Sequence, residues 1–432
     1  MRAFVLGAAA LLASQASCNT YELFRVAGYA QETFTNRADV LFVIDNSESM
    51  VEQSESLAVN FSDFISTLEG VSDRRTFNGL DDAVTNYLEE SNIISRSVDF
   101  QFSTTTTDVD ETEGQLVGPI VRRTDDNIVR SFLSGLTCGA TCFNEQYPLP
   151  RQANYRCGDP LGNFLSVDYM DCLCGEGQWF GANCGSAVEE GLEAVFLTMC
   201  RAVDNPPRAC FEDVLDDKGE VFEPALLSNN DRGTNAEVLR DNANLIVVIV
   251  SDEGDNSRRL QNREEIPDVY VDLYQQFGRP MTWVYIGPAL NESQTDLECP
   301  GTGSDFGVIR YNYMSFITGG RVIDILDEDC NPRDFDEALT ELGELLQNLL
   351  TSFALQSIPV QDTISVIVDG RKVDRAENLG VGAFGLDEYS DGWSYRPEDN
   401  SIQFWGNAIP PYEATVEVYY QPVDGIPREL PF

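Results

Sequence analysis

Two stretches of this chain are apolar at every position, and each runs straight into a short segment of acids and hydroxyls. Val40 to Ile44 (VLFVI) leads into Asp45-Asn46-Ser47-Glu48-Ser49, and Leu245 to Val250 (LIVVIV) leads into Ser251-Asp252-Glu253-Gly254-Asp255. A strand with one wet face alternates apolar and polar residues, whereas a strand covered on both faces does not alternate. Runs of this kind therefore call for helices on both sides of a sheet, which is an α/β arrangement with mostly parallel strands.

The intervening sequence supplies those helices. Leu57, Phe61, Phe64, Ile65 and Leu68 recur at helical spacing between Met50 and Leu68, and Val188, Leu192, Val195, Phe196 and Met199 share a face between Val188 and Val203. Further helices are expected at about 127–136, 269–277, 313–318 and 335–353, with further strands at 98–102, 281–286 and 321–325. Strand and helix in alternation imply right-handed crossovers and a doubly wound sheet. Thr104 to Thr107 follow the second strand, and Thr105 and Thr106 are read as structural.

From about residue 354 the pattern changes to short alternating segments at 365–368, 401–405 and 414–420. They are separated by turn residues such as Asp369-Gly370, Asp391-Gly392 and Pro410-Pro411. This predicts a small all-β domain, a sandwich with Trp393 and Trp405 in its core. The expected division is a signal peptide over 1–17, a tether over 18–37, the α/β domain over 38–353 and the β domain over 354–432.

Residues 1–17 carry Arg2, then an apolar run, then small residues, the build of an export signal. With Cys18 directly after, they resemble a bacterial lipoprotein signal, although Gln15 stands where such signals carry Leu. That resemblance implies acylation of Cys18, and Asn19 at the next position implies the outer membrane or cell surface. The alternative is an ordinary secretory signal cut after Ala16 or Ser17, which gives a secreted protein. No later apolar run approaches the roughly 20 residues of a membrane span, so membrane attachment rests on Cys18 alone.

Cysteine use fits export, since eleven cysteines less Cys18 leave ten, enough for five disulfides. Six of them, Cys138, Cys142, Cys157, Cys172, Cys174 and Cys184, crowd into an insertion at about 138–184 without clear periodicity. Part of it resembles an epidermal-growth-factor-type loop. Cys200 with Cys210 and Cys299 with Cys330 are the expected local pairs. A zinc cluster is the competing use of these thiols, and it would have to form without histidine.

The chain contains no histidine at all, which removes Ser-His-Asp triads, Cys-His pairs and His-ligated zinc proteases. Catalysis by carboxylates alone stays open, yet no nucleophile–base pair accompanies it, and the chain is read as a non-enzyme. With 72 Asp and Glu against 28 Lys and Arg the net charge is −44, and Lys218 and Lys372 are the only lysines. Such a surface repels phosphate, so no nucleic acid partner is expected. The same composition points to a saline habitat, where salt screens self-repulsion.

Asp45, Ser47 and Ser49 sit at every second position between a buried strand and a helix, where open α/β sheets gather their ligands. A carboxylate and two hydroxyls suit a hard cation, and Asp252 offers a second carboxylate at the end of the other core strand. The alternative use of these hydroxyls is to cap the following helix. Asp255 and Asn256 fall in a loop expected to be solvated, or else to add a rim contact.

VLFVIDNSESM together with IVVIVSDEGD resembles the metal-ion-dependent adhesion site of von Willebrand factor A domains, over about residues 38–353. The resemblance implies that Asp45, Ser47 and Ser49 are first-loop ligands and that Asp252 acts through water. It implies Ser186, in Asn183-Cys184-Gly185-Ser186, as the middle-loop hydroxyl in place of the family's threonine. The implied cofactor is Mg2+, or Ca2+ or Mn2+, and the implied partner is a protein whose acidic side chain completes the metal shell, making this a binding module for adhesion or scaffolding. Gly392-Trp393, Asn400-Ser401-Ile402 and Ile409-Pro410-Pro411 resemble β modules that follow such domains in exported lipoproteins of predatory or social bacteria. Two other roles remain open: an envelope lipoprotein without metal-dependent binding, and a non-catalytic regulatory subunit of an extracellular enzyme.

Overall fold

The structure is a computed structural model that describes residues 27–31, 37–50, 99–125, 128–140, 166–175, 185, 188–216, 218–229, 231–241, 243–260, 266–279, 281–290, 299, 305–326, 330, 333, 338–339, 341–343, 345–346, 352–355, 357–381, 387–397, 400–410 and 414–423. Residues 1–17, Cys18, most of the helix expected over 50–68, and Ser186 lie outside the described residues, as do Cys142, Cys157 and Cys184.

The strands in chain order are β1 (Ala27–Gln31), β2 (Arg37–Ile44), β3 (Asp99–Thr106), β4 (Val121–Arg122), β5 (Val214–Leu215), β6 (Val221–Glu223), β7 (Asn244–Val250), β8 (Met281–Gly287), β9 (Arg321–Asp324), β10 (Ser352–Ala354), β11 (Ser365–Val368), β12 (Arg371–Val373), β13 (Asn378–Val381), β14 (Asp387–Tyr389), β15 (Gly392–Arg396), β16 (Ser401–Trp405) and β17 (Val416–Tyr420). The α-helices are α1 (Val109–Thr112), α2 (Ile128–Gly139), α3 (Val167–Cys174), α4 (Gly191–Ala202), α5 (Asp268–Gln275) and α6 (Asp305–Ile317).

The central sheet has six strands in the order β4-β3-β2-β7-β8-β9. The pairs β3–β2, β2–β7, β7–β8 and β8–β9 are parallel, and only the short edge strand β4 runs antiparallel. After β2 the chain builds outward through β3, then returns to the other side of β2 with β7 and continues through β8 and β9. The direction of winding thus reverses between β2 and β7, and ligands of open α/β sheets bind in the crevice at such a point.

Both faces of this sheet are covered. On one, Val40, Phe42 and Ile44 of β2 and Ile246, Val248 and Val250 of β7 pack against Phe132 and Leu136 of α2 and against helical residues Ala338, Leu339, Leu342 and Leu346. On the other, Leu41, Val43, Val247 and Ile249 meet α4, Tyr270 and Tyr274 of α5, and Tyr311 and Met314 of α6. This explains why the strands carry no alternation: every position of β2 from Ala38 to Ile44 is buried. β3 extends past the expected strand and takes in Thr104, Thr105 and Thr106. α6 begins well before the expected residue 313. No helix among the described residues is long and apolar enough to cross a membrane.

Two more sheets, β1-β17-β11-β12 and β10-β16-β15, enclose a separate core of Val366, Val416, Val418 and Tyr420 from one and Phe353, Trp393, Ile402 and Phe404 from the other. Trp405 departs from expectation. Ile402 and Phe404 take the inward positions of β16, so Trp405 is half-buried and stacks on Tyr389 with ring centroids 4.4 Å apart. The tether expected over 18–37 is also corrected: Ala27–Gln31 pairs antiparallel with Val416–Tyr420 as a strand of this β unit, and Arg37 already belongs to β2. Ser352–Ala354, expected as the end of a helix, pairs instead with β16.

The expected bridges Cys200–Cys210 and Cys299–Cys330 are present. Cys138–Cys174 ties the end of α2 to the end of α3, and Cys172 is also disulfide-bonded.

Candidate metal centre at the sheet switch point

The loop after β2 and the loop after β7 start as neighbours because the amide of Asp45 donates to the carbonyl of Val250, 2.9 Å away, prolonging the parallel ladder by one bond. Asp45 is fully buried. Its Oδ1 accepts the amide of Ser47 at 2.9 Å, and its Oδ2 accepts the hydroxyl of Ser251 at 2.6 Å. The Ser47 and Ser49 hydroxyls hydrogen-bond to each other at 2.8 Å, and Ser49 donates to Asp252 Oδ1 at 3.1 Å. Asp45, Ser47, Ser49 and Asp252 thus lie together at the carboxyl ends of β2 and β7.

A third loop, described at Gly185 and at 188–190, reaches this point through Gly185. Gly185 donates its amide to the Asn46 carbonyl at 2.9 Å. A Cβ at position 185 would stand 2.3 Å from Asn46 Oδ1 and 2.5 Å from Cγ, so any larger residue here would have to displace the Asn46 side chain. Ser186 follows directly, outside the described residues. Thr105 is structural, its hydroxyl donating to the Gln115 carbonyl at 2.9 Å. Thr106 sits in register with Ile44 at the end of β3, and its buried Oγ1 has no hydrogen-bond partner among the described residues.

Sequence reasoning missed two residues here. Ser251 holds Asp45 from behind, and Glu189, 1% exposed, lies close enough to Asp45 for their charges to repel. Position alone marked Ser251, directly before Asp252, while Glu189 is one acid among many.

Asp255 is also corrected: far from being solvated, it is fully buried. Its Oδ1 accepts the Leu192 amide at 3.0 Å and the Ser257 hydroxyl at 2.7 Å, and Ser257 Oγ accepts the Glu193 amide at 2.9 Å. The loop after β7 therefore caps the amides at the start of α4 that have no partner within the helix.

The electrostatics are one-sided. Burial pushes the Asp45 carboxyl above its ordinary range, against the hydrogen bonds from Ser251 and Ser47. Asp252 is pushed up to about 6, by burial first and then by the charge of Asp45. Glu189 is pushed up to about 8, by burial first and then by Asp45 and Glu253. Among the described residues no arginine or lysine pairs with Asp45, Asp252, Glu253 or Glu189.

A cluster of buried carboxylates without a base is costly unless a cation offsets it. Among the described residues no three His, Cys, Asp or Glu side chains form a metal cage by themselves. What converges is a pair of carboxylates and a pair of hydroxyls, with the buried atoms Asn46 Oδ1, Thr106 Oγ1 and Glu189 Oε1 lacking hydrogen-bond partners around them. This all-oxygen set fits a hard divalent cation.

Comparison with protein-family models gives no match, and no curated protein matches the chain. Among solved structures, a von Willebrand factor type A protein from Catenulispora acidiphila is 10% identical, with 89% of this chain and 57% of that one covered, at a TM-score of 0.32. The open conformation of the pilus adhesin SpaC from Lactobacillus rhamnosus GG is 7% identical, with 90% and 39% covered, at 0.35. Proximal thread matrix protein 1 of the mussel byssus is 11% identical, with 77% and 52% covered, at 0.27. The chain spans 39% to 57% of the length of these three structures. Likenesses this distant carry no weight for the site, which rests on its own geometry.

Proposed function

We propose that this chain is a von Willebrand factor A-like binding module that holds a divalent cation through Asp45, Ser47, Ser49 and Asp252 and presents it to the acidic side chain of a partner protein. The observation that carries this reading is the Ser47–Ser49–Asp252 hydrogen-bonded chain beside a buried Asp45 that no base among the described residues neutralises. With Asp252 acting through water, one direct carboxylate and two neutral hydroxyls leave a divalent ion short of oxygen ligands and with residual positive charge, so a carboxylate from outside is a favourable addition.

Mg2+ is the proposed ion, with Ca2+ or Mn2+ as substitutes, and Ser186 is proposed as a further hydroxyl ligand. The role is adhesion or scaffolding without catalysis, by an exported lipoprotein attached to the outer membrane through Cys18. Its partner is a protein and not a nucleic acid, which the charge of −44 repels.

Calorimetric titration of Mg2+, Mn2+ and Ca2+ into the wild type and into Ser47→Ala tests the site. One equivalent is expected to bind the wild type, and Ser47→Ala is expected to lose most of that affinity. Equal titrations for the two proteins, or no heat from either, would sink the reading.

A further inference from the structure

Three acids stand at the start of α4, at 189, 190 and 193, and two have bases. Glu190 pairs with Arg258 at 2.6 Å, and Glu193 with Arg259 at 2.9 Å. Glu189 has none, and its charged neighbours are Asp45 and Glu253. It is 1% exposed, its Oε2 receives a long bond from the Asn256 side-chain amide at 3.4 Å, its carboxyl also hydrogen-bonds the Glu253 side chain, and its Oε1 has no other hydrogen-bond partner among the described residues. Its backbone is tied down on both sides: the Glu189 carbonyl accepts the Asn256 amide at 2.6 Å, and the next amide, that of Glu190, donates to the Thr107 carbonyl at 3.1 Å. The side chain is thus held in the interior beside Asp45 by the fold itself, and relocation to solvent would break these ties.

A buried carboxyl group with a bare oxygen, next to other carboxyls, finds its compensation in a proton, in a cation or in a donor that the cation orients. Among the described residues no three acids converge on one point, so Glu189 is assigned a place outside the direct ligands of the ion. We infer that Glu189 belongs to the cation site as an outer carboxylate, accepting at Oε1 from a water held by the ion. This rests on the metal reading of Asp45, Ser47, Ser49 and Asp252. It gives the third loop a charged role in the site whatever Ser186 does. It also makes Glu189 the chain's own acid beside the position offered to a partner's acid.

The test uses the full chain as wild type, Glu189→Gln and Ser47→Ala. Each is titrated calorimetrically with Mg2+ and Ca2+, and its melting temperature is measured in EDTA. Glu189→Gln keeps the shape and the Asn256 contact but removes the charge. It is expected to weaken cation binding by about 10–100-fold, the usual effect of losing an outer-shell partner. In EDTA it is expected to melt at or above the wild-type temperature, because a neutral amide of the same shape replaces a carboxyl that its acidic neighbours disfavour. Unchanged cation affinity in Glu189→Gln overturns the inference, and so does a lower melting temperature in EDTA, which would mark Glu189 as a purely structural residue. A wild type that binds neither ion overturns the site reading as well. Binding that needs Ser47 but not Glu189 overturns this inference alone.

Discussion

Ser251 stands behind the site, donating to Asp45 Oδ2 at 2.6 Å while its oxygen receives the amide of Glu253 at 3.1 Å. The Tyr285 hydroxyl, from the neighbouring strand β8, donates to the Glu253 carbonyl at 3.2 Å and steadies the same turn. Ser251→Ala frees Asp45 to rotate without touching the ion, so it is expected to lower divalent affinity by about 10–100-fold with an unchanged circular dichroism spectrum. Affinity equal to wild type would mean that burial alone orients Asp45. The convergence of Asp45, Ser47, Ser49 and Asp252 was legible in the sequence because each follows an unmistakable core strand at a fixed offset. Ser251 and Glu189 were not, since what marks them is an interaction across more than sixty positions of chain and, for Glu189, the lack of one.

At the scale of elements, the loop after β7 does two jobs at once. Residue 252 faces Ser49, while residues 255–259 grip the start of α4 through Asp255, Ser257, Arg258 and Arg259. α4 is buried along its whole length, so its position is fixed by these contacts and by packing. Arg258, 7% exposed at its side chain, also reaches Asp110 just inside α1 at 2.9 Å, and so ties three elements. Arg258→Met leaves Glu190 buried without its base and is expected to cost about 3–5 kcal/mol, read from urea unfolding. A loss within about 0.5 kcal/mol would show that Glu190 accommodates by taking up a proton. β2 and β7 were readable because central parallel strands must be apolar on both faces. β1 was not, because Ala27, Gly28 and Ala30 give no alternation and the strand exists only through pairing with residues almost four hundred positions later. β4 escaped for a similar reason, being two residues placed by β3.

For the whole molecule, the charge of −44 acts on every part of the fold. Lowering the Debye length from about 30 Å at 0.01 M salt to about 3 Å at 1 M removes most of that repulsion. The melting temperature in EDTA is therefore expected to rise with NaCl over this range, measured by scanning calorimetry. A fall would mean that pairs such as Arg240–Asp39 outweigh the general repulsion. Composition made this property legible at once, whereas the joining of the N-terminal strand to the C-terminal β unit was hidden in the topology. That joining places β1, β2 and Asp45 in one unbroken run of chain. A load applied at Asp45 and resisted at β1 would travel lengthwise down β2. β3 grips that strand through eight residue pairs and β7 through seven. Pulled along its axis, β2 strains both ladders in shear, so their bonds must fail together and cannot unzip one after another.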